Sequence, residues 1–395
     1  MKSSDINRIL WPYLIMGYSA LLCLGFLDNS RASVFENMTV ALGLSDERAS
    51  LFFVIPSLCA FVSSLLIERF IGRLGSVFIL RLGLSAMGLA FVLFGLSKDF
   101  DFILLEATLF GVGFGLVSVA QNVAVSEASD SAALQRSLFS GLHSMYALAS
   151  LMSPILAGFL FALSLSWSEI FLIAACLPGV VLVATAFLRF QPVCQDRQSA
   201  AELVDSAGLE TAQFPLGHAL FFSLAMSVYL VAEISVSSRL VVYVRRELSV
   251  SDEIATQYLA VFFLFLFLGR LAFVFFNFAK VQTHKLMYIS LFGAMLLYGA
   301  GLIWSPWLLS VSGLFMAPFF PLVMDYAVRV FRQYSSRVIA FCMAFASLSV
   351  VFMHYGLGAM SDRVGLASAL WVGPAALLLC LWLFAAERVL YHRPQ

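Results

Sequence analysis

A chain of 395 residues that is 62% hydrophobic and only 12% charged lies far from the roughly 45–50% apolar and 25% charged usage of soluble domains, which excludes a water-soluble globular enzyme. The formal net charge is zero and no basic run stands out, so neither nucleic-acid binding nor polybasic attachment to a membrane surface is indicated. Of the six cysteines, Cys23, Cys59, Cys176, Cys342 and Cys380 fall in apolar runs and Cys194 in a polar one; without zinc-ligand or disulfide-framework spacing they read as small core residues, and no metal site is expected.

A bilayer core about 30 Å thick takes roughly 20 apolar residues per helix, and apolar runs broken by charged or turn-forming clusters repeat at that length. Met1 to Leu10 is short and polar, and the apolar stretch after it carries Asp28, Asn29 and Arg31 with no small-residue cleavage site, so it reads as a first span rather than a cleaved signal. The predicted helices are 9–37, 48–68, 75–97, 101–126, 137–163 and 167–189, then 216–244, 254–279, 285–304, 306–331, 336–360 and 366–388. The one long polar connector, Gln191 to Gln213, divides them evenly, giving an all-α membrane protein with a six-helix bundle over 1–190, a cytoplasmic linker over 191–215 and a second six-helix bundle over 216–395.

With the N-terminus taken as cytoplasmic, Lys2, Arg8, Arg69, Arg73, Arg81, Arg136, Arg189, Arg197, Lys280, Lys285, Arg329, Arg332, Arg337, Arg388 and Arg393 all collect on one side. The opposite loops hold Arg48, Lys98, Arg245, Arg246 and Arg363, an asymmetry that expects an even span count and both termini in the cytoplasm of an inner membrane. The pair Arg245 and Arg246 is the local violation, with Glu247, Asp252 and Glu253 close enough to offset it.

Charge inside a bilayer costs roughly 2.5–3.5 kcal/mol on insertion scales, so Asp28, Arg31, Glu233, Arg239 and Arg270 should line a cavity or find partners. Asp28 and Arg31, three residues apart, share a helix face; they read either as a static ion pair or as a protonatable acid tuned by its neighbour. Glu233 and Arg239 are six apart and fall on different faces. Arg239 reads either as a substrate cation or as a side chain snorkelling to the interface. Gln121, Asn122, His143 and Ser144 supply polar groups that serve a solute or glue helices, and His143 and His354 are alternative proton carriers. Asp325 precedes Arg329 by one turn and Glu68 adjoins Arg69, both pairs marking helix ends. No phosphate-binding loop, metal cluster or nucleophile elbow is present, so no cofactor and no enzymatic activity are expected.

Several of these stretches resemble the fucose:proton symporter family within the major facilitator superfamily: Tyr229 through Glu233 and Ser235 to Tyr243, then Tyr258 and Gly269-Arg270; Gly25-Phe-Leu-Asp28-Asn29; Gly111, Gly113 and Gly115 through Gln121-Asn122; and Ser153-Pro154 to Gly158. A superfamily loop signature is echoed by Glu68-Arg69-Phe-Ile-Gly72-Arg73 and again by Gly358-Ala-Met-Ser-Asp362-Arg363-Val-Gly365.

The resemblance implies a monomeric secondary transporter working by alternating access in the lipid bilayer, taking a small polar or anionic solute such as a sugar or sugar acid with a proton as coupling ion. It implies proton coupling at Asp28 and Glu233. Substrate contacts fall to Asn29, Arg31, Ser118, Gln121, Asn122, His143, Ser144 and Arg239, and gating or structural roles to Glu68, Arg69, Arg73, Arg270, Asp325, Arg329, Asp362 and Arg363. The chain departs from the fucose pattern at Ser118, where that pattern has a glutamate, and at Gly141 and Ser144, where it has a glutamine and an asparagine. The 39 phenylalanines keep open an exporter of hydrophobic or amphipathic compounds, and the missing acid a receptor or scaffold that has lost transport.

Overall fold

The computed structural model describes residues 9–129, 132–190, 214–275, 282–331 and 334–391. Twelve helices long and apolar enough to cross a bilayer succeed one another. The first six are α1 (Trp11–Ala41), α2 (Asp46–Leu74), α3 (Ser76–Leu96), α4 (Phe100–Glu127), α5 (Ala132–Ala162) and α6 (Trp167–Ala186). The second six are α7 (Leu216–Leu248), α8 (Asp252–Phe275), α9 (Thr283–Ile303), α10 (Trp307–Phe331), α11 (Ser335–Val364) and α12 (Leu366–Tyr391). No strand occurs among the described residues. Apart from Phe214 and Pro215, the predicted linker 191–215 lies outside them.

Lipid tails are as apolar as leucine, so close packing and interhelical hydrogen bonds, more than burial from water, hold such helices together. Gly113 of α4 shows the first device: a Cβ there would stand 2.7 Å from both the Gly83 carbonyl oxygen and Met87 Cγ of α3, so only glycine lets the two backbones approach this closely. Asn29 and Ser30 of α1 show the second, bonding Ser150 at 2.9 Å and Ser153 at 3.0 Å on α5. The first six helices pack among themselves, as do the second six. The two bundles meet along α2 against α11, α5 against α8 and α1 against α7.

Proline shapes α10. Its helix halts at Met316 and resumes at Phe319, because Pro318 has no N–H to give to the preceding turn. At this break the Met316 carbonyl takes a hydrogen bond from the Tyr229 hydroxyl of α7, at 2.7 Å.

At the end of the molecule that holds the termini, α2 runs past its predicted end to Leu74 and α12 to Tyr391, and at the opposite end α1, α7 and α11 run on to Ala41, Leu248 and Val364. Polar residues that read as loop in the sequence are helical there because they find partners across the two bundles.

Candidate functional site

Midway along α1 and α7, a cavity of about 290 Å³ opens between the bundles, walled by Asp28, Arg31, Phe53, Phe110, Tyr146, Glu233, Phe263 and His354 among others. Asp28 forms an ion pair with Arg31 one turn on, and receives the Tyr146 hydroxyl of α5 at 3.2 Å. The Arg31 guanidinium also donates to the Phe52 carbonyl oxygen at 3.1 Å and lies 4.3 Å from the centre of the Phe110 ring and 5.2 Å from that of Phe53. Such a cation is held in place by both its partner and the ring faces. Asn29 lines the cavity, yet spends its amide on the Gly25 carbonyl and on Ser150.

On the opposite wall, Glu233 has Arg270 of α8 at 4.0 Å and the Tyr229 hydroxyl at 2.6 Å. Tyr229 therefore has two acceptors in reach, Glu233 Oε2 and the Met316 carbonyl, and one hydrogen to share.

Arg239 is not among the residues lining this cavity. It is buried behind it, donating to Ser50 of α2 at 2.6 Å, with its guanidinium 4.5 Å from the centre of the Phe35 ring and 5.7 Å from that of Phe53. It neither snorkels to an interface nor reaches the solute space. His354 stacks on Phe53 with ring centres 4.7 Å apart, and its Nδ1 has no partner. Phe53 thus has an imidazole on one face and two guanidinium groups at its margins.

Beyond the cavity, away from the termini, a lattice of polar groups closes the gap between the bundles. Arg246 of α7 forks onto Glu36 of α1, with two bonds of 3.0 Å, and onto Asp46 of α2, at 2.7 and 2.8 Å. Ser361 of α11 also donates to Asp46. Asp362 accepts the backbone N–H groups of Asp46 and Glu47 at 2.7 and 2.8 Å, so α11 supplies a carboxylate cap to the positive end of α2. Asn37 of α1 donates to Asp252 of α8 at 2.7 Å. Arg245 stands 2.9 Å from the same carboxylate, a charge contact not aligned as a hydrogen bond. Gly358 makes the approach feasible, since a Cβ there would lie 2.6 Å from the Asp46 carbonyl oxygen.

Several predicted site residues lie elsewhere. Ser118, Gln121 and Asn122 of α4 do not line this cavity; Ser118 and Asn122 bond carbonyls of their own helix, and Gln121 is buried with its Oε1 unpartnered. His143 and Ser144 of α5 are exposed and also off the wall, His143 close enough to Arg270 to feel its charge. Arg73 and Arg363 are exposed in the last turns of α2 and α11, and Arg329 is exposed in the last turn of α10. The side chains of Glu68, Arg69 and Asp325 lie outside the described residues. Glu36, Asp46, Arg246 and Ser361 escaped sequence reasoning because charges near helix ends look like ordinary interfacial groups. The signal present was the Arg245-Arg246 pair on the wrong side of the charge asymmetry.

The family description "Major Facilitator Superfamily" matches residues 17–345. The chain belongs to this superfamily of membrane transporters. Among solved structures, a bacterial homologue of the human lysosomal transporter Spinster, inward-facing and occupied, superposes with a TM-score of 0.72 at 15% identity, covering 99% of this chain and 97% of that one. A point mutant of the nucleoside transporter NupG gives 0.74 at 14% identity over 95% and 99%. The transporter FucP in its outward conformation gives 0.62 at 14% over 96% and 99%. At these identities the likeness is one of fold. No curated protein matches the sequence significantly.

Proposed function

We propose that the chain is a secondary transporter that carries a small polar solute through the central cavity by alternating access, with a proton moving in the same direction. The observation that carries this reading is the combination of a cavity holding two acids, Asp28 and Glu233, with a polar lattice that seals one end of it. A closed end and a central site are what one half-cycle of alternating access requires. With both termini in the cytoplasm of a bacterial inner membrane, the sealed end faces outward.

Glu233 is the proton carrier this reading favours. Protonation lets Tyr229 serve Met316 fully; loss of the proton moves the hydroxyl hydrogen to the carboxylate and leaves the break in α10 uncapped. The proton's arrival is thus felt at a hinge-like interruption of a helix. Asp28, held by Arg31 and Tyr146, positions the opposite wall.

The test is reconstitution. Proteoliposomes with an inward proton gradient should accumulate a solute above its outside concentration, and Glu233→Gln should abolish accumulation while retaining exchange of labelled for unlabelled solute. Accumulation that survives Glu233→Gln unchanged would remove this residue from coupling, and absence of any flux would leave a receptor or scaffold. A second reading, export of amphipathic compounds, draws on the aromatic walls Phe53, Phe110, Phe114 and Phe263; efflux driven by the opposite gradient would select it.

A further inference from the structure

We infer that the solute is a small organic ammonium ion with an apolar body, a refinement that rests on the transport reading above. Most of the polar hydrogens on the cavity wall are already committed. Asn29 gives its amide to Gly25 and Ser150, Tyr146 gives its hydroxyl to Asp28, and Arg31 bonds Asp28 and the Phe52 carbonyl through its terminal nitrogens, its Nε being buried without a partner.

The lining serines do the same within their own helices: Ser57 donates to the Phe53 carbonyl at 2.8 Å, Ser237 and Ser238 to that of Ile234 at 3.3 and 2.7 Å, and Ser347 to that of Met343 at 3.1 Å. A hydroxyl has one hydrogen, so a serine bonded back to its helix turns only lone pairs to the cavity. Besides the buried Arg31 Nε, the exception is His354, whose Nδ1 has no partner. The wall is otherwise a surface of acceptors, and the ligand that fits it brings donors.

Charge points the same way. The Asp28 and Glu233 side chains line the cavity and are 25% and 15% exposed, whereas Arg31 is 5% exposed and both Arg239 and Arg270, the latter 4.0 Å from Glu233 and 32% exposed, lie outside the lining. An anionic solute would have to take Arg31 from Asp28 and leave that acid bare; an ammonium meets accessible carboxylate oxygen without breaking the pair. The rings of Phe114 and Phe263 in the same wall suit both an alkylammonium group and the apolar remainder of the molecule. The volume of about 290 Å³ holds a compound of one ring and a short chain.

Thermal stability of the purified protein should be followed with 2-phenylethylamine, phenylacetate, 2-phenylethanol and a neutral hexose, and flux of each should be followed in proteoliposomes. The amine alone is expected to raise the melting temperature, and Glu233→Gln, which keeps the side chain's shape, should weaken its apparent affinity about tenfold or more. Stabilisation by phenylacetate, the alcohol or the hexose equal to that by the amine, or no effect of the amine, overturns the inference. Flux of the hexose or phenylacetate with the amine inert overturns the ammonium class and leaves transport standing. Stabilisation by the amine without flux of any of the four overturns transport and leaves the ligand class.

Discussion

At the scale of single residues, the ion pair on α1 does most to shape the cavity. Arg31 is buried with one charged partner and three nearby rings, and removing one member of such a pair typically costs about 3–5 kcal/mol because the other charge is left unpaired. Arg31→Ala should therefore lower the melting temperature markedly, and Asp28→Asn should also destabilise. The double variant should lose less than the sum of the two, a non-additivity that a thermal-denaturation cycle would measure. Simple addition of the two effects would show that Asp28 and Arg31 do not act as a unit. Their pairing was legible in the three-residue spacing. The role of Tyr146 was not, since no pattern in one helix reports a hydroxyl arriving from another.

Among the helices, α1, α7 and α11 owe their length at the closed end to contacts across the two bundles. Arg246 bridges two carboxylates at once, and Asp362 caps a helix in the other bundle. Arg246→Ala leaves Glu36 and Asp46 side by side without their cation, so it should shift the population toward the state open at that end. Labels on α2 and α11 should then report a longer distance, and an unchanged distance would mean that the lattice does not hold the closure. Gly358→Val attacks the same contact sterically, through the Asp46 backbone, and should move the distance in the same direction without touching a charge.

Span number and the placement of charged groups in α1 and α7 follow from apolar run lengths and could be read in advance. Cross-bundle partners could not, because they depend on how the two halves lean together. That is why Arg239 reads as a substrate cation in the sequence but stands behind the wall, bonded to Ser50.

For the molecule as a whole, the cavity and the closure are joined through one aromatic ring. Phe53 forms part of the cavity wall and carries the His354 stack, and Arg239 lies against its margin. Arg239 in turn bonds Ser50, whose hydroxyl donates to the Asp46 carbonyl at 2.5 Å, and Asp46 is held by Arg246. This is a contiguous chain of packed groups from the solute space to the seal, a physical route by which one can bias the other. At solute concentrations that saturate the variant, Phe53→Ala should weaken the dependence of the closed-end distance on solute; equal dependence in the variant would exclude the ring as the link. Mechanically, Phe53 is a rocker arm: a guest that leans on its inner side loads the bolt on the outer door, so cargo that fits without pressing on the ring would be held and not carried.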